Sequence, residues 1–212
     1  SPRWALDQPY QQSASKGYEA DGLLYLKSGS KEQNILAKQG DDLRIDWGYF
    51  YMVAGKENTA YSVGNSTELR KNFVNGTLNS ASLEGEDSNG NMALVRSHGK
   101  VKNVTDKIML GYDDIYSIQY FGTNLRPYWN SKGDRTIEAE MLAAYNEYDK
   151  LLARCYAFDK KLMEDASAAG GKEYAELCAL AYRQSIAAHK LVEAPNGDLL
   201  WLGGGKKKKK RR

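Results

Sequence analysis

The sequence predicts an α+β fold, with an antiparallel β-sandwich-like region over residues 1–130 followed by an antiparallel α-helical hairpin over residues 131–202. Three observations carry that expectation. Short aromatic and β-branched runs separated by Gly, Asn and Ser clusters fill the first 130 residues. From Thr136 onward apolar residues recur at steps of three and four. A Gly170-Gly171 pair interrupts that pattern halfway.

The strand candidates come in order. Leu23-Leu24-Tyr25-Leu26 ends at Ser28-Gly29-Ser30. Leu43-Arg44-Ile45-Asp46-Trp47 alternates in period two and continues into Tyr49-Phe50-Tyr51-Met52-Val53. Met92 to Val95, Lys107 to Tyr112 and Ile115 to Phe121 follow. The segment Leu83 to Asn91 reads as a loop. Thr67 to Phe73 is the exception, a short helix with Ser66 as its cap and Gly76 as its stop. In the second half, Ile137, Met141, Leu142, Tyr145, Tyr148, Leu152, Cys155, Phe158 and Leu162 mark one amphipathic helix, capped by Asp134 or Thr136. A second helix is expected from Lys172 to Val192, closed by Pro195-Asn196-Gly197. Leu199 to Leu202 then opens a further apolar segment. Both helices carry apolar residues to spare, so further helices are expected beyond them.

The chain has 212 residues, 42% of them hydrophobic, and a formal charge of +3. The last seven residues, Lys206 to Arg212, are all basic, and the 23 basic residues before them are outnumbered by 27 acidic ones. The body is therefore mildly acidic, which argues against nucleic acid as a partner, since phosphate binding needs a basic face. No apolar run reaches the roughly 18–20 residues of a membrane span. Gly203-Gly204-Gly205 followed by pure charge reads as an added linker and solubility tail that stays solvated, over 203–212. Residue 1 is Ser with no signal segment after it, so the chain reads as processed or excised.

Several groups of residues carry candidate chemistry. Ser13 to Lys16 and Ser28 to Lys31 have the spacing of serine–lysine acyl-transfer enzymes, but neither opens an amphipathic run. The histidines, His98 and His189, stand alone; His189 is four residues before Glu193, within reach on a helical turn, and a zinc site needs more ligands. No metal or cofactor is expected. Cys155 and Cys178 read as buried free thiols on neighbouring helices. The carboxylates are more suggestive. Asp41-Asp42 precedes a strand with Asp46 and Trp47, and Asp113-Asp114 sits between strands, followed by Tyr116, Tyr120, Arg126, Tyr128 and Trp129. Paired acids can divide acid and base roles, and acids, aromatics and an arginine together suit a cleft for a polar organic ligand. The other reading of the same residues is a capped turn and a packed domain interface. Candidate catalytic residues are Asp113, Asp114, Tyr116 and Arg126, and candidate substrate-binding residues are Trp129, Arg183 and His189. Asn65-Ser66-Thr67, Asn75-Gly76-Thr77 and Asn103-Val104-Thr105 match the N-glycosylation acceptor pattern.

Gly40-Asp41-Asp42-Leu43-Arg44-Ile45-Asp46-Trp47-Gly48-Tyr49 and Gly111-Tyr112-Asp113-Asp114-Ile115-Tyr116-Ser117-Ile118-Gln119-Tyr120-Phe121-Gly122, with Leu125 to Trp129, Cys155 to Asp159, Leu177 to Gln184 and Ala187 to Val192, resemble the glutaminase-A-like family of fungi and Bacteroides-type bacteria. The resemblance covers about Asp21 to Leu202. It implies a secreted or periplasmic multidomain protein, in which a β-sandwich region precedes an α-helical toroid, and hydrolysis of L-glutamine to glutamate and ammonia. Members are several times longer. The chain is then expected to be the end of the sandwich region and the first helices of the toroid, inactive alone, with a small polar substrate and the remainder of the toroid as partners. No catalytic set is carried over from the family onto these positions. A carbohydrate-binding or carbohydrate-active module, and a purely structural support, are the alternatives.

Overall fold

The computed structural model describes residues 13–37, 47–78, 84–85, 91–203 and 205–207, with 84–85 and 205–207 described by backbone alone. Antiparallel sheets and a few helices make up a mixed α+β fold. Strands β1 (Ser13–Ala20) and β2 (Leu23–Ser30) form a hairpin around Asp21-Gly22, both at positive φ. β3 (Tyr49–Gly55) pairs with β2, and β7 (Met109–Asp113) with β3, all antiparallel. β5 (Glu84–Gly85) lies on the outer edge of β1, giving the order β5-β1-β2-β3-β7. The expected strand residues Leu43 to Asp46 lie outside the described residues, as do Asp41 and Asp42.

Strand side chains alternate, so this sheet has two faces, and both are covered. On one face Leu23, Tyr25, Tyr51 and Val53 cluster with Met141 of the helix α2 (Ile137–Asn146), joined by Tyr18, Ile137 and Tyr145. On the other, Leu24 and Leu26 pack against Tyr61 and Val63 of β4 (Thr59–Gly64) and Met92 and Leu94 of β6 (Asn91–Arg96). β4 and β6 pair as a separate two-stranded sheet. β2 therefore reads as a continuous apolar run because it is buried on both sides. Gly17 marks where β4 closes on β1: a Cβ there would overlap the Tyr61 ring.

The helices depart from expectation in several places. α1 (Ser66–Val74) is capped by Asn65, whose side chain accepts from Thr67 N at 2.8 Å, and not by Ser66. α2 begins after Thr136, whose Oγ1 accepts from Ala139 N at 3.3 Å. It stops at Glu147, and α3 (Tyr148–Ala188) follows, broken at Gly171 (φ 83°). Only glycine takes that backbone at low cost, so the Gly-Gly pair does end one arm and start the next. The second arm ends at Ala188 and not at Val192. His189–Glu193 (β10) is a strand paired with β11 (Leu199–Gly203) around Ala194-Pro195-Asn196-Gly197-Asp198. Val192 explains the change: fully buried with Ile118 and Leu125, it gains more from the strand packing than from one more helical turn. His189 and Glu193 thus do not share a helical turn.

β8 (Ile118–Tyr120) and β9 (Thr123–Leu125) form a hairpin whose Ile118 and Leu125 meet that Val192. Only three residues of the expected Ile115 to Phe121 strand are extended, because Ile115 sits at φ 55°. Gly205–Lys207 (β12) runs parallel beside β8, so this part of the expected solvated tail is backbone-paired. β12 takes up the edge of β8 that β9 leaves, the backbone pairing that any extended segment can make with a strand edge. The thiols also differ from expectation: Cys155 is exposed and Cys178 half-buried, both free. No helix among the described residues is long and apolar enough to cross a membrane.

The close approach at Gly17 gives a stability prediction. Gly17→Ala is expected to destabilise the chain by about 1–3 kcal/mol through overpacking against Tyr61. Urea unfolding of the variant measures it; an unchanged midpoint would mean that β4 is not seated on β1.

Candidate functional site

The turn after β7 gathers most of the sequence-predicted acids. Asp113 ends β7 opposite Tyr49, and its Oδ1 accepts from Ile115 N at 2.9 Å. Asp114 is buried. Its Oδ2 accepts from Ser117 Oγ at 2.7 Å, and Lys190 Nζ lies 3.4 Å away. Trp47 closes the turn from below, its Nε1 donating to Asp114 O at 2.7 Å and Tyr116 O at 3.0 Å. Tyr112 Oη donates to Trp47 O. Gly48, at φ 86°, leaves room for this turn, since a Cβ there would strike Asp113 O. So Asp114 is a structural anchor tied to Lys190 of β10, and Asp113 is the acid left nearer the surface.

Burial pushes the Asp113 carboxyl above the usual range, the Asp114 charge adds to that, and Lys27 and Arg126 oppose it. Arg126 follows β9 and lays its guanidinium over the Tyr116 ring, 4.9 Å from the centroid. Tyr116 and Arg126 line a cleft of about 390 Å³ with Asn124, Ser131, Lys132 and Glu193. Hydrogen bonds from Lys132 and Ser131 hold the Glu193 carboxyl below its ordinary range, with Ser131 Oγ at 2.7 Å. No hydrogen bond or ion pair to a carboxylate holds Arg126 among the described residues.

Beside Asp113, the sheet face carries a cluster that the sequence reading missed. Lys27 sits 3.7 Å from the Tyr49 ring centroid and 5.6 Å from that of Tyr51. Burial lowers its pKa, as does the charge of Lys16 directly opposite on β1. Tyr18 stacks on Tyr25 at 5.1 Å and donates to Glu138 Oε1 at 2.5 Å. Burial raises the pKa of Tyr18, Tyr51 and Tyr25, the last up to about 12, so these phenols stay protonated at neutral pH. Glu138, Lys27, Lys190, Lys132 and Glu193 carry no motif. Period-two alternation along β2 puts Lys27 on the Tyr25 face, but the partner strand was needed to see Tyr49 and Tyr51 around it.

The structure separates the other candidates. Arg183 lines a different, mostly apolar groove with Leu162, Met163, Tyr182 and Ile186, between the two arms of α3. His189 stacks on Trp201 at 5.8 Å, and its Nδ1 lies 2.7 Å from Ser185 O. Trp129 lies in a 3₁₀ turn (Tyr128–Asn130), where its carbonyl accepts from Arg135 at 3.4 Å. Among the described residues no group of three or more His, Cys, Asp or Glu side chains could hold a metal ion.

Asp113 gives a pH prediction. Its folded pKa is raised, so the folded state binds its proton more tightly than the unfolded state does, and ionisation at neutral pH costs stability. Asp113→Asn keeps an oxygen for Ile115 N and removes that cost. The variant is expected to be more stable than wild type at pH 7, with the gap closing as pH falls through the folded pKa toward the unfolded value of about 3.9. Urea midpoints across pH 3–8 read this; a less stable variant at pH 7 contradicts it.

The comparisons with known proteins add one finding. A family model described as a domain of unknown function (DUF5127) matches residues 1–165. No curated protein and no solved structure matches the chain. With most of its length covered by that one model, the chain belongs to the DUF5127 family.

Proposed function

We propose that the chain is part of a glutaminase-A-like amidohydrolase and that the Arg126 cleft holds the amino-acid end of its substrate, glutamine. One observation carries this reading: a guanidinium held over the Tyr116 ring and lining a small polar cleft, with no hydrogen bond or ion pair to a carboxylate among the described residues. A planar guanidinium in that state takes a carboxylate through two parallel hydrogen bonds. Glu193, ionised beside Lys132, offers an opposite charge for an α-ammonium in the same cleft. Asp113, raised by burial and near Arg126, is the acid best suited to hold or release a proton.

Amide hydrolysis further needs a nucleophile or activated water and donors for the oxyanion. The described residues place no such set around the cleft, so the chain alone is expected to be inactive. The finer architecture belongs to the same proposal. β4–β6 stacked on the five-stranded sheet supports a sandwich region. Phe158 against Tyr182, with centroids 5.1 Å apart across Gly171, supports an antiparallel hairpin that opens a helical toroid. A secreted or periplasmic location follows from the family reading. Sugar binding has less support, because the Tyr116 face that would stack a sugar is covered by Arg126.

Isothermal titration with glutamine tests the binding half. Arg126→Gln is expected to weaken binding about 10- to 100-fold, the loss of a charge-assisted pair. Wild-type affinity in the variant, or binding of glycans with no response to glutamine, overturns the proposal. Ammonia release from glutamine, assayed on the longer parent protein, tests the activity half, and no release there overturns it.

A further inference from the structure

Of the three acceptor triplets in the sequence, one stands in a setting that explains an otherwise unexplained surface. α1 buries Leu69 but leaves Phe73 60% and Val74 81% exposed at its C-terminus. Phe73 and Val74 therefore present apolar surface at the end of α1 that no contact among the described residues seals. The residues that follow are Asn75-Gly76-Thr77. Their backbone closes the helix in a Schellman motif: Gly76 N donates to Phe73 O at 3.1 Å and Thr77 N to Asn72 O at 2.8 Å, with Gly76 at φ 66°. In most such motifs an apolar pair seals the end across the turn; here the corresponding residues are the exposed, polar Asn72 and Thr77.

This turn fixes Asn75 just past Phe73 and points both outward. Asn75 is exposed, and no hydrogen bond holds its carboxamide among the described residues. The contrast with Asn65 is informative, since the Asn65 oxygen caps α1 through Thr67 N. Asn103 is exposed, but its exposed neighbours Val101 and Val104 are small and aliphatic. Phe73 also borders an open, mostly apolar groove of about 540 Å³ with Leu69, Met92 and Leu94, which gives a bulky group somewhere to lie.

We infer that Asn75 is an N-glycosylation site and that the first N-acetylglucosamine of its glycan packs on Phe73. A hexosamine ring has one face of C–H bonds, which stacks on an aromatic ring as an apolar surface. The donor is a polyprenyl-diphosphate-linked oligosaccharide. Asn75 Nδ2 forms a bond to the anomeric carbon, the bond from that carbon to the phosphate oxygen breaks, and the polyprenyl diphosphate leaves. One Nδ2 proton passes to a base of the transferase, and no electrons are exchanged with any other reactant. Thr77 supplies the hydroxyl that the acceptor pattern requires.

Expression of the full chain behind a signal peptide in yeast tests this. Mass spectrometry of glycopeptides is expected to find Asn75 occupied, and Asn75→Gln is expected to remove that glycan while the variant made in bacteria still unfolds cooperatively. For the packing, Phe73→Ala is compared with wild type before and after endoglycosidase trimming to the first N-acetylglucosamine and after complete removal. Wild type is expected to lose about 2–4 °C of Tm on complete removal, and Phe73→Ala little or nothing. An unoccupied Asn75 overturns the site. Equal losses in the two proteins overturn the packing.

Discussion

The burial of β2 on both faces is the constraint on which the rest of the molecule depends. Leu23 and Tyr25 point one way and Leu24 and Leu26 the other, all nearly sealed from solvent. Each such side chain contributes on the order of 1.5–3 kcal/mol when fully buried. Neither face can be covered by the five-stranded sheet itself, so α2 is held on one side and β4–β6 on the other. That arrangement brings residues from both halves of the sequence into one core. Glu138, from the start of α2, meets Tyr18 and Tyr25 of the first hairpin through its side chain and its carbonyl.

The candidate site inherits its geometry from the edge of that sheet. β7 is the last strand, and the chain must turn sharply to leave it. Trp47, Gly48 and Tyr112 hold this turn, and Asp114 is used up within it by Ser117 and Lys190. Asp113 and Arg126 are left with weaker local commitments. Asp114 is buried and bonded within the turn, whereas the Asp113 carboxyl is raised by burial and partly exposed, so environment alone separates the two acids. Among the described residues the Arg126 guanidinium has an aromatic face and no salt bridge as its contact, so its hydrogen-bonding edge is not taken by a carboxylate there.

The helical pair contrasts with the sheet. Its charges are paired locally, Lys160 with Glu164, Lys161 with Asp165 and Lys172 with Glu176, all exposed. Such pairs steady a helix by a few tenths of a kcal/mol and fix nothing beyond it. Tyr156, Leu177, Leu180 and Ile186 remain in solvent. The sheet core is sealed on both faces, whereas α3 still presents apolar surface of the kind that helices bury against other helices.

Local pattern was enough for the α+β class, the Leu23–Leu26 strand and the Gly170-Gly171 break. Each rests on spacing or on backbone preference within a few residues, which no distant partner changes. Tertiary structure decided the rest. His189 to Glu193 became a strand because Val192 finds Ile118 and Leu125. Lys27 acquired its tyrosine surroundings only when β2 met β3. Arg183, His189 and Trp129 share the residue types of a binding site, yet packing sends each to a different place. Periodicity tells which side of an element a residue faces; only the pairing of elements far apart in sequence tells what waits on that side.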